Sequence, residues 1–449
     1  MITINNTASP VMRTVSRLMS LSLVASLLAF STACSDFLYE DSDQVIFADE
    51  YELNSDADTL WSMAGIMNKM QVIADRTILL GEMRGDLADV TANASADLRQ
   101  IAFFEVDEKN KYNSPRDYYA IINNCNFFLA KADTVLRDNR NVRIFRKEFA
   151  AVKAFRAWTY LQLALNYGRI PFITEPILST SESYQDFPQY GIEDICRYFI
   201  SDLSPYADVE APGYQNIRNT DSRLFFFPVN ILLGDLYLWS GQYKEAARSY
   251  YNYLSTRNGL NSAYPLTTNA VTFSTGDSHW RMTTDSWSSA FTNENFTANG
   301  EMITMIPGDS IPSEGNYSEL RDLFNTTQLN SYKASIRPSQ AIRDLSAAQK
   351  YCFLTSGGDF VFSPDDLEGL RKGDLRLYAT YPDMSGMTSM LGSLTGLSTM
   401  DNYALFTKYT TRNVHIYRRT MVYLRLAEAL NRAGYPLFGF LILKQGINN

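Results

Sequence analysis

Two tryptophans lie seven positions apart in a polar stretch that shows no helical or strand periodicity. Trp280 and Trp287 fall within residues 255–300, which are rich in Ser, Thr, Asn and Gly. An indole can stack on the apolar C–H face of a sugar ring while polar side chains bond the hydroxyls of its rim. The polar partners that we predict are Arg281, Asp285 and Asn293. The sequence therefore predicts a carbohydrate platform here, with packing of both indoles onto the scaffold as the open alternative.

A second candidate site is the polar segment around Arg84, Asp86 and Asn93. Residues 76–115 are rich in Asp, Asn and Gly and lack a clear period, so we expect loop with little helix. The tripeptide that begins at Arg84 matches an adhesion motif, but a match of three residues is near chance. We interpret it as a turn that holds a secondary ligand site.

Catalytic and metal motifs are not found in the sequence. The only histidines are His279 and His415, and neither lies in a metal-binding or triad pattern. Glycine-rich phosphate loops and the GxSxG nucleophile pattern are also missing. The chain is therefore predicted to be a binder without a cofactor or metal, although a pair of acidic residues acting as a glycosidase stays open.

Cys34 follows a segment that is typical of a secretory signal. Arg13 and Arg17 precede about 13 apolar residues, and small residues lead into the cysteine. Such a run is shorter than the roughly 20 residues that a membrane span needs. We predict that residues 1–33 are a signal peptide, with its native start at Met12, and that Cys34 is the lipid attachment site of a bacterial lipoprotein.

The composition and charge of the 449-residue chain limit its partners. The formal net charge is −9, and it becomes −11 once Arg13 and Arg17 leave with the signal. An acidic chain does not suit nucleic acid, whose phosphates attract basic surfaces. The remaining cysteines are Cys125, Cys196 and Cys352, whose spacing fits no zinc or redox motif. We expect buried thiols, and a disulfide between one pair stays possible.

Apolar residues at steps of three and four predict a mostly α-helical scaffold. The predicted stripes begin at Leu60, Tyr118 and Val152. The first continues through Ala64, Met67 and Val72. The second continues through Ile121, Ile122, Cys125, Phe128 and Leu129. The third continues through Phe155, Trp158, Leu161 and Leu165, and Gly168 is expected to end its helix.

Residues 228–254 match the tetratricopeptide pattern at six positions in register. The matching residues are Leu233, Gly234, Tyr237, Gly241, Ala246 and Tyr250. Small residues allow two antiparallel helices to approach, and aromatic side chains fill the space between them. A weaker copy spans residues 423–443, with Gly439 in place of the expected Ala. The pattern predicts a tetratricopeptide-like helical scaffold that is interrupted by irregular, loop-rich insertions.

Several segments, taken in their order and spacing, resemble the SusD/RagB family of nutrient-binding outer-membrane lipoproteins of Bacteroidetes. The segments that carry the resemblance are Cys34–Leu38, Tyr118–Asn126, Lys153–Tyr160, Tyr167–Pro171, Leu233–Leu238, Lys372–Leu377 and Tyr423–Gly434. The resemblance implies a SusD-like α-α superhelix on the cell surface that captures a glycan without catalysis. It also implies a SusC-like TonB-dependent transporter as the partner, and a C-terminal part that is shortened at Asn449.

The predicted organisation has four parts. Residues 34–50 form an acidic tether after the signal, residues 51–254 the repeat-bearing N-terminal region, and residues 255–449 a C-terminal region with ligand-binding insertions. Two alternatives to glycan capture stay open: a lipoprotein that uses its repeats only to bind proteins, and a peptide-binding member of the same family. The aromatic insertion at residues 255–300 favours the glycan, since a helical adaptor would not need it.

Overall fold

A computed structural model describes most of the chain after residue 52. The described residues are 53, 56–133, 145–217, 220–256, 272–275, 280–284, 301–308, 318–324, 335–354, 358–363 and 411–447, with isolated positions between them. The chain divides into one unit of residues 1–51, which lies outside the described residues, and a second of residues 52–449. Cys34 and its signal therefore lie outside the description.

Helices dominate the described residues, which confirms the predicted mostly α-helical class. The helices are α1 (Asp56–Ile73), α2 (Arg76–Glu82), α3 (Ala96–Ala102), α4 (Pro115–Lys131), α5 (Arg146–Tyr167), α6 (Thr180–Ser183), α7 (Ile192–Leu203), α8 (Val229–Trp239), α9 (Tyr243–Thr256), α10 (Leu320–Phe324), α11 (Gln340–Ala348), α12 (Arg419–Arg432) and α13 (Pro436–Gln445). Single 3₁₀ turns span Ser204–Tyr206 and Ser222–Phe225.

The described strands are short and pair two by two in antiparallel fashion. They are β1 (Ala88–Val90), β2 (Ile170–Pro171), β3 (Gln189–Tyr190), β4 (Asn216–Ile217), β5 (Thr220–Asp221), β6 (Thr272–Thr275), β7 (Trp280–Thr284), β8 (Met302–Ile306), β9 (Ile336–Pro338), β10 (Tyr351–Leu354), β11 (Phe360–Ser363) and β12 (Val414–Arg418). The pairs are β1 with β9, β2 with β3, β4 with β5, β6 with β7, β8 with β12, and β10 with β11.

Two expectations for the first third of the chain are wrong. Residues 76–115 were expected to be loop with little helix, yet they contain the two helices α2 and α3. The predicted stripe of α1 is also misplaced, because Leu60 is 42% and Val72 39% exposed. The buried apolar residues of α1 are Met63, Ile66, Met70 and Ile73. Both sets keep helical spacing, so periodicity located the helix but did not identify the side that packs on the core.

Helices α4 and α5 carry the core as predicted. Tyr118, Ile121, Ile122, Cys125 and Phe128 of α4 are all buried. In α5, Val152, Phe155, Trp158 and Leu161 are buried, while Leu165 is 38% exposed. Gly168 ends α5 at φ 78°, a left-handed conformation that suits glycine.

Of the three cysteines, Cys125 and Cys196 are buried thiols, whereas Cys352 is exposed rather than buried.

The tetratricopeptide-like hairpin is formed by α8 and α9, as the sequence predicts. A Cβ built on Gly234 would lie 2.4 Å from Cε1 of Tyr250, so only glycine allows this ring to lie against α8. The weaker copy folds as α12 and α13. There a Cβ on Gly439 would lie 2.9 Å from the backbone oxygen of Ala427, and this close approach explains why glycine replaces the expected Ala.

The insertion at residues 255–300 has more regular structure than its sequence indicates. Strands β6 and β7 form a hairpin in which Thr275 pairs with Trp280 and Ser274 pairs with Arg281.

The last helix, α13, exposes most of its apolar residues, including Leu437, Phe438 and Phe440. Among the described residues, no helix is both long and apolar enough to cross a membrane.

Candidate functional site

A cavity of about 420 Å³ opens between α2, α5, α8 and the segment that leads through β12 into α12. Pockets of this size that combine apolar walls with a few polar groups are the usual binding sites for small molecules. Its lining includes Glu82 of α2, Trp158, Gln162 and Leu165 of α5, Asp235 and Trp239 of α8, Lys408, Tyr409 and Asn413, His415, Tyr417 and Arg418 of β12, and Arg425 of α12.

The carboxylate of Asp235, one of the polar groups that line the cavity, is buried. The hydroxyls of Tyr250 and Tyr417 donate to its two oxygens, each at 2.6 Å. The guanidinium of Arg425 contacts both oxygens at 2.5 and 2.6 Å. Burial and the neighbouring Asp235 charge raise the pKa of both tyrosines, so they stay protonated and act as donors.

A second polar cluster lines the α2 side of the cavity. Glu82 accepts a hydrogen bond from the hydroxyl of Tyr409 at 2.6 Å, and the Lys408 ammonium lies 3.5 Å from the same oxygen. Burial and the Glu82 charge raise the pKa of Tyr409 well above its usual value. The ring of Phe324 packs on Tyr409 at a centroid distance of 4.5 Å. The aromatic contact holds this carboxylate–phenol pair in place at the wall.

Aromatic side chains form both the inner wall and the rim. Trp158 is 2% exposed and stacks on Phe227 at 4.9 Å, so its ring belongs to the core and forms the wall. Trp239 is 55% exposed, and Leu165 contributes further apolar surface. A large exposed indole beside polar groups is the arrangement that an amphipathic ligand requires. The cavity can therefore hold a small ring that has apolar faces and hydroxyl edges.

The structure places the tryptophan candidates only in part. Trp280 and Arg281 belong to strand β7. Asp285, Trp287 and Asn293 lie outside the described residues. The proposed platform at these residues therefore stays a prediction.

The second predicted site lies near the cavity. Arg84 follows α2, and its guanidinium donates to Oδ1 of Asn166 at 3.1 Å, next to the cavity residue Leu165. Asp86 is exposed, and its backbone oxygen accepts a hydrogen bond from the Ser339 hydroxyl. Neither side chain lines the cavity, so these residues lie outside it.

The sequence did not identify the residues that form this cavity. Trp239 stands in the repeat and was not among the predicted site residues, yet it lines the cavity and is exposed. Glu82 and Lys408 are more than three hundred positions apart, and no local pattern connects them. Among the described residues, no three His, Cys, Asp or Glu side chains are placed to hold a metal ion.

Comparison with solved structures gives many matches of one fold. A SusD superfamily protein from Bacteroides thetaiotaomicron matches with a TM-score of 0.59 and 14% identity, over 89% of this chain and 79% of that protein. Surface glycan-binding protein A from Bacteroides fluxus matches at 0.56 and 15%, over 87% and 81%. A laminarin-binding SusD-like protein matches at 0.51 and 18%, over 87% and 84%.

These matches establish the fold. The chain has the SusD-like helical fold, which confirms the resemblance seen in its sequence segments at the level of architecture. No protein-family model and no curated protein matches the sequence. Identities of 14–18% are too low to transfer individual binding residues.

Proposed function

We propose that this chain is a cell-surface lipoprotein, anchored through Cys34 in the outer membrane, that captures a glycan and delivers it to a SusC-like TonB-dependent transporter. The observation that carries the proposal is the amphipathic cavity with exposed Trp239 on a fold shared with glycan-binding proteins. The sequence resemblance supports the partner and the anchor.

The cavity suits one or two sugar rings. The indole of Trp239 offers a face for the C–H side of a ring, and Gln162, Asn413 and His415 supply polar atoms for hydroxyls. The two carboxylates of the lining already bind cations, Asp235 through Arg425 and Glu82 through Lys408. Such a site holds its ligand without a carboxylic acid placed to protonate a glycosidic bond, so we propose binding without catalysis.

Affinity gel electrophoresis of the mature chain against plant and host polysaccharides, with laminarin among them, tests the proposal. One glycan is expected to retard the protein, and Trp239→Ala is expected to abolish the retardation because the stacking face is lost. Trp61→Ala is the matched control, since Trp61 is 75% exposed on α1 and does not line the cavity. A folded protein that no glycan retards would contradict the proposal.

The same gels distinguish the cavity from the site that the sequence predicts. Loss of retardation in Trp280→Ala and Trp287→Ala, with Trp239→Ala unaffected, would place the glycan at the insertion instead. A peptide ligand is the alternative within the same fold, and it would show as peptide binding without any retardation by polysaccharide.

A further inference from the structure

Two phenylalanines protrude from the surface at the end of α3. Phe103 is 62% and Phe104 71% exposed, and Val106 beside them is 41% exposed. Together Phe103, Phe104 and Val106 form an apolar tip. Large aromatic side chains in such a position expose apolar area that water disfavours, and clustered apolar surface marks an interaction site.

Phe104 has a backbone conformation that is unfavourable for a residue with a bulky side chain. Phe104 has φ 58°, in the left-handed region. Its N–H bonds the oxygen of Ile101 at 3.2 Å, and the N–H of Glu105 bonds that of Gln100 at 2.8 Å. This hydrogen-bond pair is the Schellman ending of a helix, whose left-handed position is usually glycine. Here that position holds a bulky aromatic residue, which adds strain without adding packing.

The base of the tip is held rigidly by side-chain hydrogen bonds. The amide of Gln100 donates to Asp107 at 2.8 Å and accepts from Asn110 at 2.8 Å. Asn113 donates to the backbone oxygen of Asp107 at 2.9 Å. Bonds from Gln100 and from the Lys109 N–H lower the pKa of Asp107, so its carboxylate stays ionised. A rigid tip loses little conformational entropy when it binds.

The chemistry around the tip favours a protein over a sugar or a bilayer. The amides of Gln100 and Asn113 donate to Asp107 and that of Asn110 donates to the backbone oxygen of Asp97 in α3, so they are poorly placed to bond a sugar rim. Segment 103–109 carries three carboxylates, those of Glu105, Asp107 and Glu108, against one lysine. An acidic border opposes contact with anionic lipid and favours a partner whose apolar pocket is edged by basic side chains.

We propose that the Phe103–Phe104 tip docks into an apolar, basic-edged pocket of a protein partner, and that this partner is the transporter. The inference rests on the proposed function for the identity of the partner. It places the contact on the loop after α3, apart from the residues that line the glycan cavity. Buried aromatic anchors of this kind carry a large share of the affinity of an interface.

The test uses the full mature chain and the SusC-like transporter of the same genome, purified in detergent, with binding measured by biolayer interferometry. The variants are Phe103→Ala with Phe104→Ala, and Phe104→Gly alone, which relieves the strained backbone and so guards against misfolding. Each is expected to weaken binding at least tenfold, while Trp61→Ala has no effect. The association rate of the wild type is expected to fall as salt increases.

Affinity gel electrophoresis of the same variants with the glycan separates this inference from the function on which it rests. Weakened transporter binding with intact glycan retardation supports docking through the tip. Equal transporter affinity in all variants overturns the inference and leaves glycan capture standing. Loss of glycan retardation in the tip variants overturns it as well, because the rings would then be a sugar platform. A wild type that does not bind the transporter overturns both the inference and the proposed delivery.

Discussion

Replacing Asp235 by asparagine should strongly destabilise the fold, because this carboxylate neutralises Arg425 and accepts from two phenols at the base of the cavity. Breaking a buried ion pair from one side costs about 3–5 kcal/mol. The Arg425 side chain keeps 31% exposure, so water partly solvates the charge that is left, and the lower end of this range applies. We expect Asp235→Asn to lower the free energy of unfolding by about 3 kcal/mol.

Urea unfolding followed by far-UV circular dichroism measures this loss, provided that the slope against urea is unchanged. The control is Glu428→Ala, which removes an exposed pair with Arg432 and should leave the urea midpoint nearly unchanged. The double variant Asp235→Asn, Arg425→Met should recover about 1 kcal/mol, since no uncompensated charge remains. If Asp235→Asn costs no more than the control, the ion pair is not what stabilises this region.

Three further predictions concern individual residues. Phe104→Gly should raise the free energy of unfolding by about 0.5–1 kcal/mol, the relief of left-handed strain less the extra entropy of an unfolded glycine, and no rise on thermal unfolding would argue against the strain. Gly234→Ala should cost about 1–3 kcal/mol, because the new Cβ displaces the Tyr250 ring, and an unchanged urea midpoint would count against this packing. Burial raises the pKa of Asp75 from 3.8 to about 6, so the free energy of unfolding should fall by about 3 kcal/mol as pH rises from 3.8 through 6, and Asp75→Asn should remove that slope in urea titrations.

The repeat was predictable from the sequence because its contacts are local. Gly234 and Tyr250 lie on consecutive helices, and the need for a small residue opposite a large ring leaves a fixed spacing in the chain. The end of α5 at Gly168 was predictable for a similar reason, since a left-handed helix end selects glycine.

The polar contacts of the cavity could not be predicted in this way. Asp235 and Arg425 are 190 positions apart, and the 49 acidic and 40 basic residues of the chain offer too many possible pairs. Only the fold decides which of them meet. The exposure of Trp239 has the same origin, because a helix in a repeat turns some large residues toward the core and others toward a cavity.

The buried side of α1 and the tip at Phe104 show two other features that the sequence alone could not predict. Apolar residues occur on more than one side of α1, so its period fits Leu60 as well as Met63, and packing with α4 decides between them. Residues 76–115 were expected to be loop because they are rich in Asp, Asn and Gly, and the left-handed Phe104 that ends α3 runs against local preference, so no sequence signal marked this helix end.

The most direct test of the account is a crystal structure of the mature chain with an oligosaccharide of the glycan that retards it. The account predicts a sugar ring stacked on the indole of Trp239, with its hydroxyls bonded to residues that line the cavity between α5, α8 and β12. A sugar bound at Trp280 and Trp287, with the cavity filled only by water, would contradict it.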